Sequence, residues 1–141
     1  MEGRRLYTFT AVQIVAVVAA LWFVFSLPGS WDLQRYVGAA LMLIGIGGIA
    51  TARYQLGTSF SVKAEAHHLV THGIYSKIRN PIYVFGAVMI AGFLLILHRP
   101  IYWLFLVFVV VLQTIRAHRE AKVLEAAFGD AYREYRGKTW F

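Results

Sequence analysis

The chain has no cysteine, which excludes disulfides, thiolate-bound metals and a cysteine nucleophile together. Proline is nearly as scarce, with three in 141 residues. Each marks a boundary: Pro28 precedes Gly29, Pro81 follows Asn80, and Pro100 closes His98-Arg99-Pro100. Acidic residues number seven against fourteen Lys and Arg. No carboxylate cluster completes a shell around His67, His68 and His72, and adjacent helical histidines point about 100° apart. No metal site is expected, and the histidines read as interfacial groups near anionic headgroups. Also missing are a Ser-His-Asp constellation, a P-loop and a dinucleotide fingerprint; the "GIGG" of residues 45–48 lies within an apolar run and is no phosphate cradle.

Charge itself is absent over long stretches. Residues 6–31, 36–52, 80–97 and 100–115 carry neither charge nor histidine, in a chain that is 59% hydrophobic. A membrane-crossing helix needs ~20 apolar residues, with ~17 as the lower limit. The first run is ample, and Arg or His flanking the others can snorkel outward and lengthen the span. The expected fold is all-α and integral to the membrane: four transmembrane helices and a C-terminal amphipathic cytoplasmic helix. Residues 1–141 form one membrane domain, with a first helical hairpin at 6–53 and a catalytic, cofactor-binding half at 54–141.

With four spans, both termini and the 54–79 connection share one side, which carries twelve of the fourteen basic residues; Arg35 and Arg99 alone lie opposite. That imbalance places both termini in the cytoplasm of a bacterial or archaeal inner membrane. The net charge of +7 then reflects topology and anionic lipid rather than nucleic acid, for which no binding motif is present. The first run is too long for a signal peptide and lacks a small-residue cleavage site, so an uncleaved anchor is expected.

Helices are expected at about 7–27, 33–53, 81–97 and 101–115. Gly38, Gly45, Gly47 and Gly48 of the second favour close helix packing. The 54–79 connection is too long for a simple turn. Its regular hydrophobics, Phe60, Val62, Leu69, Val70, Ile74, Tyr75 and Ile78, read as an ordered segment on the membrane. Beyond Ile115 the apolar residues thin to a stripe of Ala117, Ala121, Leu124, Phe128, Ala131 and Tyr135, an amphipathic extension that Gly129 can interrupt. Gln113, Arg116 and Glu120 share one edge of that helix. Gln113 is a polar group inside an apolar run, a frequent mark of function. By themselves Arg116 and Glu120 also fit an ordinary surface ion pair.

Two blocks, "LVTHGIYSKIRNPIYVFG" at 69–86 and "REAKVLEAAFGDAYREYR" at 119–136, resemble the isoprenylcysteine carboxyl methyltransferase family, which is grouped with the phospholipid methyltransferases. The first block matches at Leu69, Val70, Thr71, Gly73, Tyr75, Arg79, Pro81, Tyr83 and Gly86. The second matches at Glu120, Leu124, Phe128, Gly129, Tyr132 and Tyr135. Asn80 stands where the family usually has His, and Ala121 where a second Glu is usual. The resemblance implies S-adenosyl-L-methionine as cofactor, held by Val70, His72, Gly73, Tyr75, Arg79, Asn80, Pro81, Tyr83 and Glu120. Arg79 would take the cofactor carboxylate, and Glu120 its ammonium or ribose hydroxyls. Arg116 and Glu120 are the catalytic candidates.

That chemistry suits an interface, since a polar cofactor arrives from water and a lipid or prenyl acceptor arrives sideways from the bilayer. A carboxylate acceptor needs only a cation to place it, for which Arg116 serves. An amine or thiol acceptor must lose a proton, which calls for a base such as Glu120. The expected function is methyl transfer to a lipophilic acceptor, a prenylcysteine-like carboxylate or a lipid, at the cytoplasmic face. A phospholipid amine or a small thiol is the alternative acceptor, and the oligomeric state is open. Two other functions compete: an NADPH-dependent membrane reductase, which usually has an acidic residue where Ala87 follows Gly86, and a non-catalytic membrane binding protein.

Overall fold

The structure, a computed structural model, describes residues 2–57 and 69–141. His67 and His68 lie outside the described residues, as do Phe60 and Val62 of the connection. The chain divides into two compact units, Met1–Leu33 and Gln34–Phe141.

The first unit is one helix, α1 (Glu2–Ser26), in which Thr8 donates from Oγ1 to the Arg4 carbonyl at 2.8 Å. Val12, Val15, Val18 and Trp22 are exposed. The helix stops where the Pro28-Gly29 step predicts: Gly29 has φ 101°, a conformation glycine adopts without strain. The Phe25 and Trp31 rings meet at 5.7 Å across the exit.

The second unit opens with α2 (Leu33–Leu56), all but its first residue, so residues 54–56, expected in the connection, belong to the helix. It continues with α3 (Pro81–Leu97), α4 (Trp103–Phe128) and α5 (Asp130–Lys138). Among the described residues there is no strand, only an isolated parallel bridge between Ile78 and Trp140. The helices α1, α2 and α4 are long and apolar enough to cross a membrane, and α3 is a shorter apolar helix.

Glycine sets the α2–α3 contact. A Cβ on Gly38 would lie 2.5 Å from the Gly92 carbonyl oxygen, and one on Gly45 would lie 2.6 Å from Met89 Cβ. Gly48 is covered by the Phe85 ring, and Gly92 by the Gly38 carbonyl. Backbones approach this closely only where side chains are missing. Gly47, on the other side of α2, has nothing within 4 Å of its would-be Cβ. Gln34 adds a bond from Nε2 to the Leu95 carbonyl at 2.9 Å.

Pro81 takes the first position of α3, and the Asn80 carbonyl accepts from Tyr83 N at 3.1 Å and Val84 N at 3.2 Å. The helix ends at His98, whose φ of 53° turns the chain into the Pro100–Tyr102 turn and α4. The first half of α4 exposes Leu104, Val107, Phe108 and Val111. Water would penalise such a face at ~25 cal/mol per Å² of apolar surface; hydrocarbon does not.

The amphipathic extension is divided. α4 runs unbroken to Phe128, and Gly129 (φ 56°) begins a separate helix, α5. Gly129 N donates to the Glu125 carbonyl at 2.8 Å. Arg133 ties the corner from outside, at 2.8 Å from Glu125 and 2.6 Å from Asp130. Tyr132 and Tyr135 face inward and are buried.

Candidate active site

Tyr83 lies in the first turn of α3, behind a start fixed by Pro81. Glu120 lies in α4, thirty-seven residues away. Packing of α3 on α4 brings them together, and Tyr83 Oη donates to Glu120 Oε1 at 2.7 Å. Arg116, one turn before Glu120, donates from Nε to the same oxygen at 3.0 Å. Its guanidinium carbon stands 5.8 Å from the centre of the Tyr83 ring, within cation–π range. The ion pair expected within α4 is present, and it also receives a hydroxyl from the first sequence block.

The group is neither sealed nor fully wet. The Arg116 side chain is 46% exposed and that of Glu120 25%. A carboxylate with two donors on one oxygen is fixed in orientation, so a ligand ammonium or hydroxyl would meet its other oxygen at a defined place. Gln113, one turn before Arg116, stands beside the motif glycine: a Cβ on Gly86 would lie 3.5 Å from Gln113 Nε2. Polar groups on one edge of α4 thus face the start of α3.

Tyr75 is buried at the centre of the Gly73–Ser76 turn. Burial pushes its phenol well above the ordinary value, and the charges of Tyr135 and Glu120 push it further, so Glu120 acts on this ring also. Gly73 adopts φ 61° with the Gln55 carboxamide packed against its α-carbon. Gln55 Oε1 accepts from Ile74 N at 2.7 Å. A side chain at 73 would suffer both a strained backbone and a collision, which explains the glycine in the first block. Gln55 escaped sequence reading because it sits at the end of α2, outside both blocks.

The remaining expected cofactor residues are placed as follows. Asn80 is spent through its backbone, N donating to the Phe141 carbonyl at 2.9 Å, and its side chain makes no capping bond. Pro81 is buried. Val70 is half-buried and His72 is exposed; among the described residues no side-chain bond joins either to Glu120. Arg79, which the resemblance assigns to the cofactor carboxylate, turns Nη1 onto the carbonyls of Arg136 at 2.9 Å and Thr139 at 3.0 Å. Those oxygens end α5, where carbonyls lack helical partners and a cation is favoured. In this arrangement Arg79 caps a helix.

The donor set fits S-adenosyl-L-methionine in kind: a fixed carboxylate for ammonium or ribose hydroxyls, tyrosine rings beside it, and a guanidinium at the edge. Neither the curated proteins nor the solved structures include a match to the chain. The phospholipid methyltransferase family model matches residues 33–131, from the first residue of α2 to the second of α5. That span is well over half of the chain and holds the whole Tyr83–Arg116–Glu120 group, so the chain belongs to the phospholipid methyltransferase family, and with its apolar helices it is an integral membrane methyltransferase.

Proposed function

We propose that the protein transfers a methyl group from S-adenosyl-L-methionine to a lipophilic acceptor at the cytoplasmic membrane face. The observation that carries this reading is the shared Glu120 oxygen, on which Tyr83 of α3 and Arg116 of α4 converge. Two blocks far apart in sequence meet on one carboxylate that is still partly open to solvent.

When bound, S-adenosyl-L-methionine supplies an electrophilic methyl group on a sulfonium. The chain's own task is placement, since methyl transfer requires in-line approach and little covalent help. Glu120 pairs an ammonium or ribose hydroxyls, and Tyr83 holds Glu120 in place. Arg116 offers its exposed guanidinium to an acidic or phosphate headgroup while its Nε keeps the bond to Glu120. Four spans, with α3 as the third, put this group at the cytoplasmic interface, because the basic residues gather there. Apolar faces on α1 and α4 suit entry of an acceptor from the bilayer. A prenylcysteine-like carboxylate or a phospholipid meets both conditions.

Calorimetry of the detergent-solubilised protein with S-adenosyl-L-methionine and, separately, NADPH tests the reading. Binding of the first alone is expected, with transfer of a tritiated methyl group into the lipid extract of the host membrane. Binding of NADPH alone would overturn it in favour of a reductase. Cofactor binding with no labelled lipid would overturn the lipophilic acceptor.

A further inference from the structure

The family match stops at residue 131, yet residues beyond it bond the first block at several points. Trp140 N donates to the Lys77 carbonyl at 2.7 Å, Arg79 N to the Trp140 carbonyl at 3.0 Å, and Asn80 N to the Phe141 carbonyl at 2.9 Å. These bonds form the parallel bridge of Ile78 with Trp140 and extend it by one residue. Arg79 Nη1 reaches the Arg136 and Thr139 carbonyls from the same side. Tyr135 Oη donates to the Tyr75 carbonyl at 2.7 Å, a buried bond. Thr139 Oγ1 in turn donates to the Tyr135 carbonyl at 2.9 Å. Tyr75, Arg79 and Asn80, three of the expected cofactor residues, therefore owe their backbone course to Tyr135, Thr139, Trp140 and Phe141.

We propose that residues 135–141 are a positioning strap, holding the 75–80 segment in the shape that takes S-adenosyl-L-methionine. The inference rests on the proposed function and deepens it. Residues 77–80 belong to no helix. The Lys77 and Ile78 amides close locally on the Ile74 carbonyl at 3.1 and 3.0 Å, but without outside partners the Arg79 and Asn80 amides would face water and this end of the segment would sample many conformations. The strap supplies those partners through main-chain atoms. Trp140 is 64% exposed, and its amide and carbonyl do the holding. Among the described residues neither Tyr135 nor Trp140 bonds Tyr83, Arg116 or Glu120; they act through the segment. Arg79 accordingly serves as a bolt between segment and strap.

Three full-length variants in detergent test this: Tyr135→Phe, Trp140→Pro and Trp140→Phe. Thr139 is already extended (φ −124°, ψ 152°), the conformation required before proline. Trp140→Pro therefore removes the donor to Lys77 without forcing the preceding residue to move. The affinity for S-adenosyl-L-methionine is expected to fall about three- to tenfold in Tyr135→Phe and Trp140→Pro, the scale of one net hydrogen bond. Trp140→Phe, which keeps the main-chain ladder, should bind like the parent. Hydrogen exchange at the Arg79 and Asn80 amides should quicken in Trp140→Pro even without cofactor. Unchanged affinity in both weakened variants, or unchanged exchange at 79 and 80, would overturn the strap. If Trp140→Pro does not fold, Tyr135→Phe decides, since it deletes a single hydroxyl. A parent protein that binds no S-adenosyl-L-methionine overturns the functional reading and the positioning role with it; a parent that binds while both variants bind equally well overturns the strap alone.

Discussion

Glu120 takes a phenol and a guanidinium on a single oxygen, so its removal would release both partners as well as any ligand. Glu120→Ala should weaken S-adenosyl-L-methionine binding by about 1.5–3 kcal/mol, the range for a hydrogen bond to a charged group. Calorimetry checks it, and unchanged affinity would leave Glu120 as an ion-pair partner only. Arg116→Ala should instead abolish methyl transfer to a lipid acceptor while the cofactor still binds, read by tritium transfer alongside calorimetry. Loss of both would move Arg116 into the cofactor shell; retained turnover would remove it from the mechanism. The tyrosines outside the spans add a pH dependence. Burial raises Tyr135 to about 12 and raises Tyr75 in the same direction. Both are protonated in the folded chain where the unfolded chain has lost the proton, so their contribution is complete below pH ~10 and lost as pH climbs toward 12. The thermal transition should hold steady from pH 7 to 9 and fall above pH 10, and Tyr135→Phe should shrink that fall. Spacing within α4 made Gln113, Arg116 and Glu120 legible as one edge, because helical geometry is local. The Tyr83 bond was not, since sequence reading cannot fix how α3 rotates against α4.

At the scale of elements, the boundaries of α3 were the most legible, because Asn80-Pro81 and His98-Arg99-Pro100 constrain the backbone by their own covalent structure. The glycines of α2 were legible only as a set; packing separated them. Gly38 and Gly45 face α3 at contact distance and Gly47 faces away. Gly38→Ala or Gly45→Ala should destabilise the second unit by about 1–3 kcal/mol through overpacking. Gly47→Ala should be neutral or slightly stabilising, since it trades glycine for a better helix former. Thermal unfolding in detergent reads the difference, and equal effects at 38 and 47 would contradict the α2–α3 contact. The division of the amphipathic stretch at Gly129 follows from its positive φ, a conformation that only a structure reveals although the residue type permits it.

For the whole molecule, the absence of cysteine permits a clean test of orientation. Single variants Arg99→Cys and Lys138→Cys, both at exposed positions, would each carry one thiol. An impermeant maleimide should label position 99 in intact cells and position 138 only after the membrane is opened. The reverse pattern would invert the protein, and labelling of both from outside would overturn the four-span reading.

Composition and order alone determined that this chain is helical and that it belongs in a membrane, since hydrocarbon forbids unpaired backbone and penalises charge along any apolar run. Resemblance to a known family marked two blocks as chemical. Only the tertiary structure decided what those blocks do to each other. Tyr83 meets Glu120 because α3 packs on α4, Gly73 must be glycine because Gln55 lies against it, and Arg79 caps α5 through carbonyls near the end of the chain. Each of these joins residues from different helices or turns, whose approach depends on many side chains packing at once rather than on any local pattern.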